Sequence, residues 1–100
     1  MKLLTKEIEA KLRKAGYDNM KPICKLFTPW GRSTWLLTSM DSDGILYGWA
    51  DLNMQCIEHG GIATLEEFEA IRGPFGLAVE RDLHWSPPEK EVEYLYREER

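Results

Sequence analysis

The sequence predicts an α+β fold: a mostly antiparallel meander sheet with an N-terminal helix, a short second helix before the last strand and a charged C-terminal tail. Three observations carry that expectation. A helical stripe opens the chain, and β-rich runs separated by turn residues follow it. The stretch TLEEFEAIRGPFGLAVERDLHW, Thr64 to Trp85, then reads as a capped helix, a hard turn and a strand.

The first helix is expected over residues 5–15, where Leu4, Ile8, Leu12 and Ala15 form one stripe. Thr5 is placed to cap it and Gly16 to stop it. Glu7 with Lys11 and Glu9 with Arg13 are i,i+4 pairs in the favourable order, each adding ~0.2–0.5 kcal/mol. Ile23 to Phe27 is a short strand that ends in the turn Thr28-Pro29-Trp30-Gly31. Trp30 at a turn either folds back onto the core, the preferred reading, or stands out as a contact residue. Ser33 to Ser39 is the second strand, with Trp35 and Leu37 on one face. The turn Asp41-Ser42-Asp43-Gly44 predicts that Ile45 to Leu52 returns as a hairpin. Gly48 in that strand leaves space for another backbone, with the first helix as the expected neighbour.

A fourth strand is expected between Gln55 and Ile62, with Gly60-Gly61 marking a bulge or bend. Thr64 and Glu67 then have capping-box spacing, and Arg72, Gly73 and Pro74 end the helix after about two turns. From Leu77 to Trp85 the chain alternates: Val79, Arg81, Leu83 and Trp85 point one way, Glu80, Asp82 and His84 the other. Ser86-Pro87-Pro88 halts regular structure. The organisation is therefore a single domain of residues 1–88 and a charged tail of residues 89–100, in which Val92, Leu95 and Tyr96 suit a helical face and Val92, Tyr94 and Tyr96 suit a strand.

Bulk properties narrow the class. One hundred residues with 43% hydrophobic and 30% charged content suit one globular core. No apolar run approaches the ~20 residues of a membrane span, and the N-terminal MKLL is too short for a signal peptide, so a cytoplasmic location is the default expectation. Cys24 and Cys56 have no CxxC spacing and read as core thiols. The net charge of −4 conceals an asymmetry: residues 1–32 carry net +5, and residues 33–100 carry net −9. That acidic majority argues against direct phosphate-backbone binding and permits docking on a basic partner.

The segments MKLLTKEIEAKL, KLFTPWGRSTW, Tyr47-Gly48 and above all EAIRGPFGLAVERDLHW resemble an uncharacterised domain-of-unknown-function family of short proteins from plasmids, phages and conjugative elements. The resemblance covers residues 1–88, departs at Gly60-Gly61-Ile62-Ala63 and does not extend to the tail. It implies a mobile-element context and no mechanism. Small proteins of such elements are often inhibitors of host defence, which makes that role an expectation by analogy.

Three functional readings follow. The preferred one is a non-enzymatic protein-binding module that engages a host protein, one with a basic nucleic-acid-binding groove, through its acidic surface. Its contact residues would be Trp30, Glu80, Asp82, His84, Glu93 and Tyr94, on a framework fixed by Thr64, Glu67, Gly73 and Arg81. The second is a metal-dependent hydrolase, because Glu80, Asp82 and His84 in alternation on a strand would sit ~6.5–7 Å apart on one face, with Glu58-His59 on another strand nearby. The third is nucleic-acid binding through the basic N-terminal third, which ranks last because no aromatic residues interleave with Lys11, Arg13 and Lys14. Arg81 shares the apolar face of its strand and is expected in a structural ion pair. No cofactor is expected, since no P-loop, dinucleotide fingerprint or nucleophile elbow is present; an exposed edge strand could pair across a two-fold axis, and neither monomer nor homodimer is preferred.

Overall fold

A computed structural model of the chain describes residues 3–51 and 58–86. The tail, with Glu93 and Tyr94, and Cys56 lie outside the described residues. Five strands form one open antiparallel sheet: β1 (Cys24–Phe27), β2 (Thr34–Met40), β3 (Ile45–Asp51), β4 (Glu58–Thr64) and β5 (Glu80–Arg81), in the spatial order β4-β3-β2-β1-β5. The first four are a meander joined edge to edge. The last is carried back across the sheet to pair with β1.

Helix α1 (Lys6–Ala15) starts where the Thr5 hydroxyl accepts the Ile8 amide at 3.1 Å, and stops at Gly16, whose φ of 82° only glycine adopts without strain. Its Leu12 is fully buried over β2, with Leu3 and Leu4 buried just before the helix. The partners Cys24↔Leu37, Leu26↔Trp35, Trp35↔Ala50 and Leu46↔Ala63 place one apolar row under it. Helix α2 (Leu65–Ala70) joins the same side, its Phe68 meeting Trp35 edge to face at 5.1 Å. Burying Leu12, Leu26, Leu37, Leu46 and Phe68 stabilises the fold by ~1.5–3 kcal/mol each.

Two details shift the sheet away from simple alternation. Leu37 pairs with Gly48 and Ser39 with Tyr47, so Thr38 is an extra residue in β2; Leu46 pairs with Ala63 and Tyr47 with Gly61, so Ile62 is an extra residue in β4. Gly48 is tight against β2, not against α1 as expected: a Cβ there would lie 2.2 Å from the Leu36 carbonyl oxygen. The neighbouring backbone crowds it, and no side chain fits.

The final strand is much shorter than the alternation of residues 77–85 predicts. Residues 72–78 are taken up by a tight turn, and the Asp82 carboxylate accepts the His84 amide at 3.0 Å, folding the chain into another turn straight after β5. Local turn bonding, backbone to backbone before Glu80 and side chain to backbone after Arg81, therefore wins over β propensity on both sides.

Candidate protein interface on the crossover

Between β4 and β5 the chain runs through α2 and then through a tight turn. The turn is built by sequence in a legible way up to one residue. Thr64 and Glu67 form a reciprocal cap, the Thr64 hydroxyl accepting the Glu67 amide and the Glu67 carboxylate accepting the Thr64 amide at 3.0 Å. The Ile71 amide closes the last helical turn on the Phe68 carbonyl, and Arg72 donates to the carbonyls of Glu69 and Ile71. Arg72 and Ala78 then bridge as antiparallel partners, and the Gly73 amide donates to the Leu77 carbonyl at 2.7 Å. Inside that frame the Gly76 amide reaches the Gly73 carbonyl and the Leu77 amide the Pro74 carbonyl, each at 3.2 Å.

Phe75 is at the tip. Its backbone is left-handed, with φ 59° and ψ 22°, a region that costs a residue with a Cβ ~1–2 kcal/mol and is the usual place of Gly or Asn. Its ring makes no compensating contact, being 102% exposed relative to an extended reference. Leu77, beside it in the turn, is 40% exposed. Below the turn, Trp30 is half-buried against the core, and its indole lies under Gly73, where an added Cβ would come within 2.2 Å of the ring. Trp30 and Gly73, distant in sequence, are thus one packing unit that supports the tip.

The flanks are acidic. Glu66 and Glu69 on α2 and Glu80 in β5 are exposed, and among the described residues none has a salt-bridge partner. Glu69 and Glu80 line a shallow cleft of about 350 Å³ with Leu3, Arg72, Ala78 and Val79. The contrast with α1 is direct, because there Glu7 lies 3.8 Å from Lys11 and Glu9 lies 3.3 Å from Arg13. Arg13 also donates to the Asp41 carbonyl at 3.2 Å.

The other residues singled out by sequence fall in separate places. Glu80 belongs to β5, opposite Phe27; Asp82 follows the strand with its amide still on the Lys25 carbonyl at 2.9 Å, and His84 lies in the turn beyond. The three therefore do not form a strand row. Among the described residues no group of three His, Cys, Asp or Glu side chains is placed to hold a metal ion. His59 sits opposite Trp49 on β3, with the rings edge to face at 5.1 Å and Nε2 2.8 Å from the Thr38 hydroxyl. Arg81 faces the helix side of the sheet and donates to the Leu3 carbonyl. Its recorded partner is a backbone oxygen 78 positions away rather than the carboxylate anticipated, because the edge strand brings it beside the start of the chain. Burial pushes the Cys24 thiol up to about 12, opposed by the nearby Arg81 guanidinium, so this cysteine is an inert core residue.

The sequence marks Gly73 and Pro74 as a helix stop and a hard turn and assigns Phe75 no role. The signal was in the pattern: proline followed two residues later by glycine predicts a turn, and the residue between them sits where Gly or Asn is normal.

An open antiparallel sheet with both helices on one side, and an exposed aromatic tip on an acidic crossover, define a small α+β protein. The chain belongs to the family described as Protein of unknown function (DUF2958), whose model matches residues 2–99. The match runs past Pro88, so the charged tail falls inside the family's span, beyond the 1–88 covered by the resemblance. No curated protein and no solved structure matches. Among the described residues no helix is long and apolar enough to cross a membrane.

Proposed function

We propose that this chain is a protein-binding module of a mobile genetic element, which inhibits a host defence or nucleic-acid-handling protein by covering a basic groove with its acidic surface. The observation that carries this reading is the set of exposed glutamates on the crossover, Glu66, Glu69 and Glu80, which lack cationic partners among the described residues while those of α1 have them. Unpaired surface carboxylates contribute little to a fold, and repel one another. They add to the rate and specificity of association with a surface of opposite charge.

The test is capture of the tagged protein from host lysate in the presence of nuclease, at low and at high ionic strength. A near-stoichiometric protein partner retained at low salt and released at high salt is expected. A partner held equally well at both, or a preparation that yields none, overturns the electrostatic reading. The variant Glu66→Lys/Glu69→Lys/Glu80→Lys should lose the partner while keeping its fold.

A further inference from the structure

The acidic surface explains attraction but not how one partner would be told from another, since charge alone favours any basic surface. We propose that Phe75 is the anchor of this interface: its ring enters an apolar pocket on a protein partner, and cationic groups at the rim of that pocket meet the glutamates of α2 and β5. This rests on the protein-binding reading and specifies its chemistry.

Four features lead there. Phe75 is fully exposed, so the fold gains no burial from it. It occupies a backbone conformation that disfavours it, so the turn would form more readily with Gly or Asn. The turn beneath it is tied by the Arg72 to Ala78 bridge and three backbone hydrogen bonds and is backed by Trp30. The ring is therefore presented on a fixed frame, and little conformational entropy remains to be lost on binding. Aromatic side chains with few rotatable bonds are the residues that dominate interface energetics when they fill a pocket. The surroundings select the kind of partner. Exposed carboxylates at residues 66, 69 and 80 would be repelled by an anionic lipid surface and by a second copy of the same face, whereas a protein with a cationic rim complements them.

The experiment places a benzophenone side chain at residue 75 and, as a control, at the likewise exposed Tyr17, which is 74% exposed on a different loop. Each protein is irradiated in host lysate with untagged competitor. A single protein adduct is expected from residue 75 and none of that mass from residue 17. Excess wild-type chain should suppress it, whereas Phe75→Asn, which suits the left-handed backbone but lacks the ring, should compete roughly tenfold to a hundredfold less well. Phe75→Asn should also melt no lower than wild type, which separates a contact role from a structural one.

Equal competition by Phe75→Asn would overturn the anchor while leaving the acidic reading intact, provided the triple Glu→Lys variant still fails to compete. An adduct of the chain with itself, co-sedimentation with anionic phospholipid vesicles that depends on Phe75, or a marked fall in the melting temperature of Phe75→Asn would each overturn it as well. If the triple variant and Phe75→Asn both compete like wild type, the anchor and the electrostatic reading fail together.

Discussion

Two tight turns in this molecule solve the same geometrical problem with different residues. Between β2 and β3, the Asp41 carboxylate accepts the amides of Asp43 and Ile45 at 2.9 Å each and the Tyr47 hydroxyl at 3.2 Å, and the left-handed position is filled by Gly44 at φ 84°. Every residue there has the chemistry its backbone requires. In the crossover turn the hydrogen bonds are just as complete, and Gly76 at φ 77° is equally suitable, but Phe75 stands at a left-handed position with its ring in water. The first turn is what the fold alone would select. The second departs from it at one residue, the exposed aromatic side chain proposed above as an anchor.

Mutations can break or sharpen that comparison. The largest effect is expected at the foot of the crossover turn: Gly73→Ala would drive a Cβ into the rigid Trp30 indole and lower unfolding free energy by ~2–3 kcal/mol, read from the midpoint of urea unfolding. A smaller and opposite pair comes next. Gly44→Ala, which places a Cβ at φ 84° with open space around it, should cost ~1 kcal/mol through backbone strain alone. Phe75→Asn should gain ~0.5–1 kcal/mol, because it relieves the same kind of strain. Were Phe75→Asn to destabilise as much as Gly44→Ala does, the two turns would not differ in the way described.

The smallest effect is a pH dependence confined to the hairpin turn. The Ile45 amide, followed by the other donors around it, holds the Asp41 carboxyl below its ordinary value. A group whose pKa is lowered by folding contributes stability above its unfolded value of 3.8, and that contribution disappears as pH falls through the lower folded value. The hydrogen bond to Asp41 raises the Tyr47 hydroxyl above its ordinary 10.0, so its contribution is present below that value and fades as pH rises through the higher folded one. The turn is thus favoured across the whole interval between. Thermal unfolding of wild type against Asp41→Asn should converge at acid pH; parallel curves across the acid range would show that Asp41 is not the group responsible.

Much of the fold was legible because local chemistry and long-range packing agree. Thr5 and Gly16 bound α1 and the Asp41–Gly44 sequence makes the hairpin, and in each the residue that suits the local backbone also suits the tertiary contact. Illegibility began where non-local partners decide. Nothing in the alternation of residues 77–85 indicates that only Glu80 and Arg81 form a strand, since that depends on how much of the free edge of the four-residue β1 the returning chain can reach. Gly48 shows the same limit, because its close neighbour is the Leu36 carbonyl brought there by the bulge at Thr38 and the twist that accompanies it. Of the candidate site, the acidic flank was visible in charge counting. Its focus on Phe75 was not, because an apolar residue between turn formers is read by default as one that folds inward.

The bond from Arg81 to the Leu3 carbonyl has a kinetic meaning. It ties Leu3, ahead of α1, to the last strand, so the seam at β5 closes only when residues 78 positions apart have met; β5 is two residues long and is extended only by the Asp82 amide on the Lys25 carbonyl. Such a seam opens far more often than the four-stranded meander unravels. Backbone amides of β5 should therefore exchange with deuterium through frequent local excursions, while those of β2 wait for the whole molecule to unfold. The crossover turn, tied within itself by the Arg72 to Ala78 bridge and backed by Trp30, keeps its own shape through those excursions.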